Sequence, residues 1–297
     1  MIGELAALGA AFSWTLSAIL YRNALTEAKP VSANIVRLTL TGAILLMFLA
    51  LIGKFGILTS LSLNTAILAS ISGIVGLGLG DTLYMISLKT IGVARAVPIT
   101  CVYPLFNLLS AAFLGGEVLT LQVILGAVAI VLGIWLLSQN QETSKTEKQK
   151  ALLHKGVVFA LATAVLWSIS ITMINLAVKE TPDLDHALAI NVVRVGAIAL
   201  SLFVFSPVID TKLGFLKANR KTVLALIVGG VVSLGFGWFC LAYSFVETPE
   251  SRAVPISSTT PLFSTLVAIV FLREKVRTRN ILGAVIIVAG IFLIFLA

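Results

Sequence analysis

Long apolar runs separated by short polar breaks fill this chain, and the runs are longer than the helices or strands of a soluble core need. Ten are legible, at about 3–22, 33–52, 65–90, 95–114, 121–138, 156–178, 187–206, 222–246, 252–272 and 279–297. Each is close to the ~20 residues with which a helix crosses the hydrocarbon of a bilayer. The third and eighth are the longest, which predicts helices that tilt or bend. Lys29-Pro30, Thr181-Pro182 and Thr248-Pro249 mark turns between runs. Only one connection is long and polar. Residues 139–155, rich in Gln, Glu, Lys, Ser and Thr, read as a flexible linker.

The pattern is written twice. Gly3 and Trp14 recur in the same spacing as Gly156 and Trp167. Asn34 and Arg37 recur 157 residues later as Asn191 and Arg194. Arg95-Ala96-Val97-Pro98-Ile99 returns letter for letter as Arg252-Ala253-Val254-Pro255-Ile256. Glu117 returns as Glu274, and Ile124-Leu125-Gly126-Ala127-Val128 as Ile281-Leu282-Gly283-Ala284-Val285. The chain therefore divides into repeat 1–138, linker 139–155 and repeat 156–297, each repeat holding five runs. An odd number of crossings turns the second repeat upside down in the membrane. Inverted repeats that meet near the midplane are the usual architecture of secondary transporters.

Composition fits this reading. Hydrophobic residues make up 59% of the chain and charged residues 11%, with a mean hydropathy of +1.07. A soluble domain cannot clothe its surface with so few polar residues. The first run has no basic leader and is too long for a signal peptide. Cys101 and Cys240 fall inside spans and say nothing of redox compartment. The net charge of +8 lies in loops, which points to lipid headgroups and topology rather than nucleic acid. Sixteen Lys and Arg lie on the linker's side of the membrane and three on the other, with Arg37 and Arg194 inside spans. That bias puts the linker in the cytoplasm and both termini outside, in a multi-pass protein of the cell membrane.

These residues resemble the drug/metabolite transporter superfamily, in particular proteins with two tandem EamA-type repeats. The likeness is carried by Ala11-Phe12-Ser13-Trp14 and Ala164-Val165-Leu166-Trp167-Ser168, by Asn-x-x-Arg at 34–37 and 191–194, and by Arg-Ala-Val-Pro with a second proline six residues on. Glu117 or Glu274 and a glycine-rich closing helix complete it. It implies an all-α membrane carrier of ten helices. Relatives of this kind carry amino acids, sugars, nucleotide sugars, purines and drugs. The resemblance therefore implies transport, with an amino acid or related small metabolite as the expected cargo and export as the expected direction. A flippase for lipids or lipid-linked sugars and a passive channel are the competing readings.

Candidate chemistry is sparse. Asp81 is expected to be the one acid deep inside a span. It reads either as a proton-coupling group or as a counter-charge for a cationic substrate, against a structural acid paired with arginine. Trp14, Trp167, Trp238, Tyr84 and Tyr103 could line a cavity for a flat or apolar substrate, or simply pack. Asn34 and Asn191 are candidates for lining or for hydrogen bonding between helices. Arg37 and Arg194, as repeat mates, read foremost as structural. Pro98, Pro104, Pro255 and Pro261 lie inside spans four and nine and are candidate bends or hinges. Gly126, Gly133, Gly283 and Gly290 read as close helix contacts. His154 and His186 are expected in loops. No nucleotide loop, metal spacing or nucleophile motif appears. The expectation is a carrier, not an enzyme, with no cofactor and no metal, working as a monomer or homodimer on a small-molecule substrate.

Overall fold

In the computed structural model, residues 1–138, 147–210, 214, 219–263, 266 and 278–296 are described. They are almost entirely helical. Spans 1 and 2 are Ile2–Glu27 and Pro30–Leu51, and span 3 runs over Leu63–Ile91. Span 4 comes in two pieces, Val93–Thr100 and Tyr103–Phe113, and span 5 is Leu121–Ser138. Spans 6, 7 and 8 are Glu147–Glu180, Leu184–Ile209 and Arg220–Glu247. Span 9 opens with Glu250–Ser257, and its far end lies outside the described residues. Span 10 is Thr278–Phe295. Seven described helices are long and apolar enough to cross a bilayer, and two shorter apolar ones correspond to spans 5 and 10. With span 9 the count of ten holds, in an all-α membrane protein.

The repeats are interleaved rather than side by side. Span 1 packs along spans 8 and 9, and its mate span 6 packs along spans 3 and 4. Span 2 lies against span 7, and span 5 against span 10. Small residues set these distances. A Cβ on Gly133 would stand 2.6 Å from the Gly283 carbonyl, and one on Gly126 would stand 2.8 Å from that of Gly290. The glycines expected to be packing residues do hold helices at backbone contact.

Mated side chains pin the interleaved spans. Ser62 and Asn219 cap spans 3 and 8 by accepting the amides of Thr65 and Thr222. Over each cap sits a carboxylate from the end of the partner span. Glu180 accepts from Ser62, Asn64 and Thr65, and Glu27 accepts from Asn219 and Thr222. Glu117, swung inward by the positive φ of Gly116 (66°), does the same for span 9. Its carboxylate accepts the amides of Glu250 (3.0 Å) and Ser251 (2.9 Å) and meets Lys179 at 3.3 Å. Glu274, its repeat mate, lies outside the described residues.

Spans 3 and 8 change winding midway. Gly73–Gly80 and Val231–Gly237, repeat mates, form π-helical turns between α-helical halves. Glycine-rich sequence tolerates the wider pitch, and such turns cluster at functional sites. The loosened carbonyls are met from the neighbouring spans. Asn34 Nδ2 donates to the Leu77 carbonyl at 3.0 Å, and Asn191 Nδ2 to that of Leu234 at 2.8 Å. Asn34 and Asn191 therefore act as the helix glue, not as cavity lining.

Spans 4 and 9 break between their prolines rather than at them. Pro98 and Pro255 sit inside the first helical piece. The backbone then turns at Cys101–Val102 and at Ser258–Thr259, and Pro104 starts the next piece. Hydroxyls near each break bond back into their own helix: Thr100 donates to the Val97 carbonyl at 2.8 Å, and Ser258 to that of Pro255 at 2.7 Å. Two expectations need revision. Span 6 starts at Glu147, inside the stretch read as flexible linker, because Glu147 to His154 is a run of good helix formers. His154 and His186 lie on helices rather than in loops, His186 meeting the N-cap Asp183 at 2.7 Å.

Two predictions follow from this packing. Gly133→Leu should cost about 1–3 kcal/mol of stability by overpacking, visible as a lower unfolding temperature. Gly56→Ala, in open space, should leave that temperature unchanged. Burial alone would push the Glu117 carboxyl up. The amides of Ser251 and Glu250 and the Lys179 ammonium outweigh it and hold the group below its ordinary 4.5. Its stabilisation is thus present above that value and lost as pH falls through the lower folded one. Glu117→Gln should remove this acid-side loss and lower stability at neutral pH by about 1–2 kcal/mol, as for other lost caps.

Candidate functional site

Spans 1, 2, 3, 4, 6, 8 and 9 all contribute side chains to one cavity within the bundle. Trp14, Tyr21, Arg37, Asp81, Tyr84, Tyr103, Trp167 and Trp238 form its wall, with Thr100, Cys101, Ser233 and Thr260 between them. Both repeats contribute. All five aromatics proposed from sequence are present. The cavity measures about 70 Å³, below the ~300–1,000 Å³ of ordinary ligand sites. A metabolite can enter only if the aromatic rings part.

One part of the wall is ionic. Asp81 heads the α-helical half that follows the π turn of span 3. Arg37 Nη2 reaches Asp81 Oδ2 at 2.5 Å and Asn34 Oδ1 at 2.7 Å, and Trp167 Nε1 donates to Asp81 Oδ1 at 2.8 Å. Arg37 and Asp81 are only 2% and 4% exposed. The guanidinium also lies over the Tyr21 ring, 5.0 Å from its centroid, while the Tyr21 hydroxyl meets that of Ser233 at 2.6 Å. Every oxygen of the acid thus has a donor. The structure pairs Asp81 with Arg37 and places Arg37 in the wall, where sequence reasoning gave it a structural role.

The second repeat breaks this chemistry. Where Asp81 stands in repeat one, repeat two has Trp238. Arg194, mate of Arg37, lays its guanidinium over that indole, 3.8 Å from the ring centroid. It donates to the hydroxyls of Ser72 (3.0 Å) and Ser170 (3.1 Å) and stays behind the wall. Aromatic rings make up most of the rest of the wall. Trp14 and Trp238 lie 5.1 Å apart, as do Tyr84 and Trp167, and Tyr103 meets Trp167 edge-on at 6.0 Å. The tryptophans lean on mated glycines: a Cβ on Gly80 would come within 3.0 Å of Trp167, and one on Gly237 within 2.8 Å of Trp14. Trp14 Nε1 is buried without a partner.

Above the cavity, on the face away from the linker, the Tyr103 hydroxyl meets that of Ser257 at 2.9 Å. This bond joins the broken spans 4 and 9. Sequence reasoning missed Tyr21, Ser233 and Thr100, whose only signal is a polar residue within an apolar run. It also missed Glu250. That acid opens span 9 next to Pro249, so it reads as an exposed helix-start residue, yet it is completely buried. No group of three His, Cys, Asp or Glu side chains that could hold a metal ion occurs among the described residues.

Removing one partner of a buried ion pair strands the other and costs about 3–5 kcal/mol. Asp81→Asn and Arg37→Leu should each lower the unfolding temperature sharply. The double variant Arg37→Leu/Asp81→Leu should recover much of the loss, because no charge is left unpaired. Equal additive losses in the double variant would show that the pair is not coupled.

Comparison with known proteins agrees with this architecture. The EamA-like transporter family model matches residues 1–139 and again 154–296, one match per repeat. An uncharacterized transporter of Archaeoglobus fulgidus is 25% identical over 297 residues, covering all of this chain and 99% of that protein. An uncharacterized protein of Methanocaldococcus jannaschii is 23% identical over 142 residues, 48% of this chain but 97% of its own length. A solved crystal structure superposes with a TM-score of 0.75 at 19% identity, over 99% of this chain and 96% of that one, a likeness of fold. The chain belongs to the EamA-like transporter family and is a multi-pass membrane transporter of small solutes, not an enzyme.

Proposed function

We propose that the protein is a secondary carrier that exports a small amphipathic metabolite with a charged group, an amino acid or a close relative, by alternating access. The observation that carries this reading is the mixed lining of the cavity: the Arg37–Asp81 pair set beside packed indoles and phenols. A zwitterion can exchange its ammonium and carboxylate with the two members of such a pair, so neither buried charge is left bare. Its side chain then lies among Trp14, Trp167 and Trp238. Asp81 serves in this reading as the counter-charge for the substrate's ammonium. The broken spans 4 and 9 supply the bend by which one face closes as the other opens.

A thermal-shift screen of amino acids and related metabolites on the purified protein tests the cargo. A ligand at about 100 Kd adds about 2.7 kcal/mol to the folded state, and Trp167→Ala should abolish the shift. Counterflow of the labelled ligand into preloaded vesicles then separates a carrier from a channel, since only a carrier trans-accelerates. Efflux faster than uptake under an imposed gradient supports export. The charge bias supports a cytoplasmic linker. An impermeant thiol reagent should label a cysteine at Thr59 in intact cells and spare one at Ser144, and the reverse result inverts the topology.

A further inference from the structure

The cavity is separated from the face that carries the termini by one further cluster, and that cluster is built around an acid. Glu250 is fully buried where spans 4, 6 and 9 converge. Asn107 Nδ2 donates to its Oε1 at 2.5 Å, and the Thr172 hydroxyl to the same oxygen at 2.6 Å. Asn175 Nδ2 donates to Oε2 at 2.7 Å. Asn107, Thr172 and Asn175 are themselves fully buried. Tyr103 and Ile171, which line the cavity, are the neighbours of Asn107 and Thr172 on spans 4 and 6. The cluster is thus the plug directly behind the cavity wall.

Among the described residues, none that hydrogen-bonds the Glu250 carboxyl carries a positive charge. On span 6 the nearest basic residue is Lys179, which meets Glu117 at 3.3 Å and is partly exposed. Glu117, on the loop after span 4, adds a like charge and takes the Glu250 amide. Span 1 brings Glu4, bound to the N-terminal ammonium at 2.8 Å. Span 8 ends in the exposed Glu247, and Arg252 lies two residues on along Glu250's own helix. A bare carboxylate in such a place is unfavourable by several kcal/mol. The second sign is in the amides. Asn107 Oδ1 and Asn175 Oδ1 are buried without a partner. Amide oxygen and nitrogen exchange places by a half-turn, so either group can present an acceptor to the carboxyl. The site has acceptors to spare for one hydrogen and separations too short for a larger cation.

We propose that Glu250 is a proton-binding site: it holds one proton while the plug is closed and releases it to water when spans 4, 6 and 9 part on the face that carries the termini. Opening of that face is then coupled to proton release, and acid favours its closure. This rests on the carrier reading above for its role in a transport cycle, but the site itself is testable without a substrate.

Infrared pH-difference spectra of the purified full-length protein read the site directly. The wild type should show one protonated-carboxyl band that disappears on raising the pH from about 6 to about 9. Glu250→Gln should lose that band, Glu247→Gln should keep it, and Glu250→Asp should keep a titrating band at a shifted pH. Unfolding temperatures establish that each variant is folded. The native Cys101, in the cavity wall, reports opening in a Cys240→Ser background. Its labelling from the terminal face should rise several-fold over the same pH range relative to Glu250→Gln at each pH, a ratio that cancels the thiol's own titration. A band unchanged in Glu250→Gln overturns the proposal, as does a ratio flat with pH. A band displaced by sodium at constant pH also overturns it, by making this a metal-cation site. If the band and the ratio behave as expected while no metabolite binds, the proton site stands and the carrier's cargo reading falls.

Discussion

An ion pair can lie in the middle of a membrane only if protein groups replace most of the hydration it has given up. The Arg37–Asp81 pair sets that demand here, and much of the fold answers it. Asn34 steadies the guanidinium and at the same time ties span 2 to the π turn of span 3. Trp167 crosses from the other repeat to donate one hydrogen bond to the second oxygen of the acid. The glycines at 80 and 237 let the indoles come this close. Take away the pair and these devices have little to support. Keep the pair without them, and its desolvation outweighs its attraction.

Inverted symmetry explains what is shared, and its violation explains the cavity. Caps, carboxylate pins, π turns, asparagine glue and glycine contacts all come as mates. The exchange of Asp81 for Trp238 does not. One arginine therefore faces an acid and the other an indole, so a chamber built by symmetric helices carries its ion pair on one repeat only.

Much of this was legible in the sequence because it depends on spacing. The exact return of Arg-Ala-Val-Pro-Ile and the 157-residue recurrence of Asn34 and Arg37 give the repeat, and an odd count of spans gives its inversion. Five of the six aromatics of the wall were legible because Trp and Tyr number only four each in the chain; Tyr21 was not. What stayed hidden depends on partners distant in sequence. Asn34 and Asn191 look equally fit for lining and for glue until the carbonyls they meet are seen. Arg37 looks like its mate Arg194 until Asp81 is seen beside one and Trp238 beneath the other. Glu250 looks like an ordinary helix-start acid, because nothing near it in the chain reveals that Asn107, Thr172 and Asn175 will close over it. The helix that reaches back to Glu147 was masked by polar composition, which marks loops only where helix formers are scarce.

The interleaving of the repeats also bears on how the chain is made. Span 1 finds its main neighbours in spans 8 and 9, so during synthesis it must wait in the lipid for almost the whole chain. Glu27 has no Asn219 to cap until then, and Tyr21 has no Ser233. The one pair that cannot wait is not asked to: Arg37 and Asp81 lie 44 residues apart within the same repeat. The membrane-buried charge can thus be neutralised as soon as span 3 is inserted, while the polar contacts left for the last spans are ones that a half-made bundle survives without.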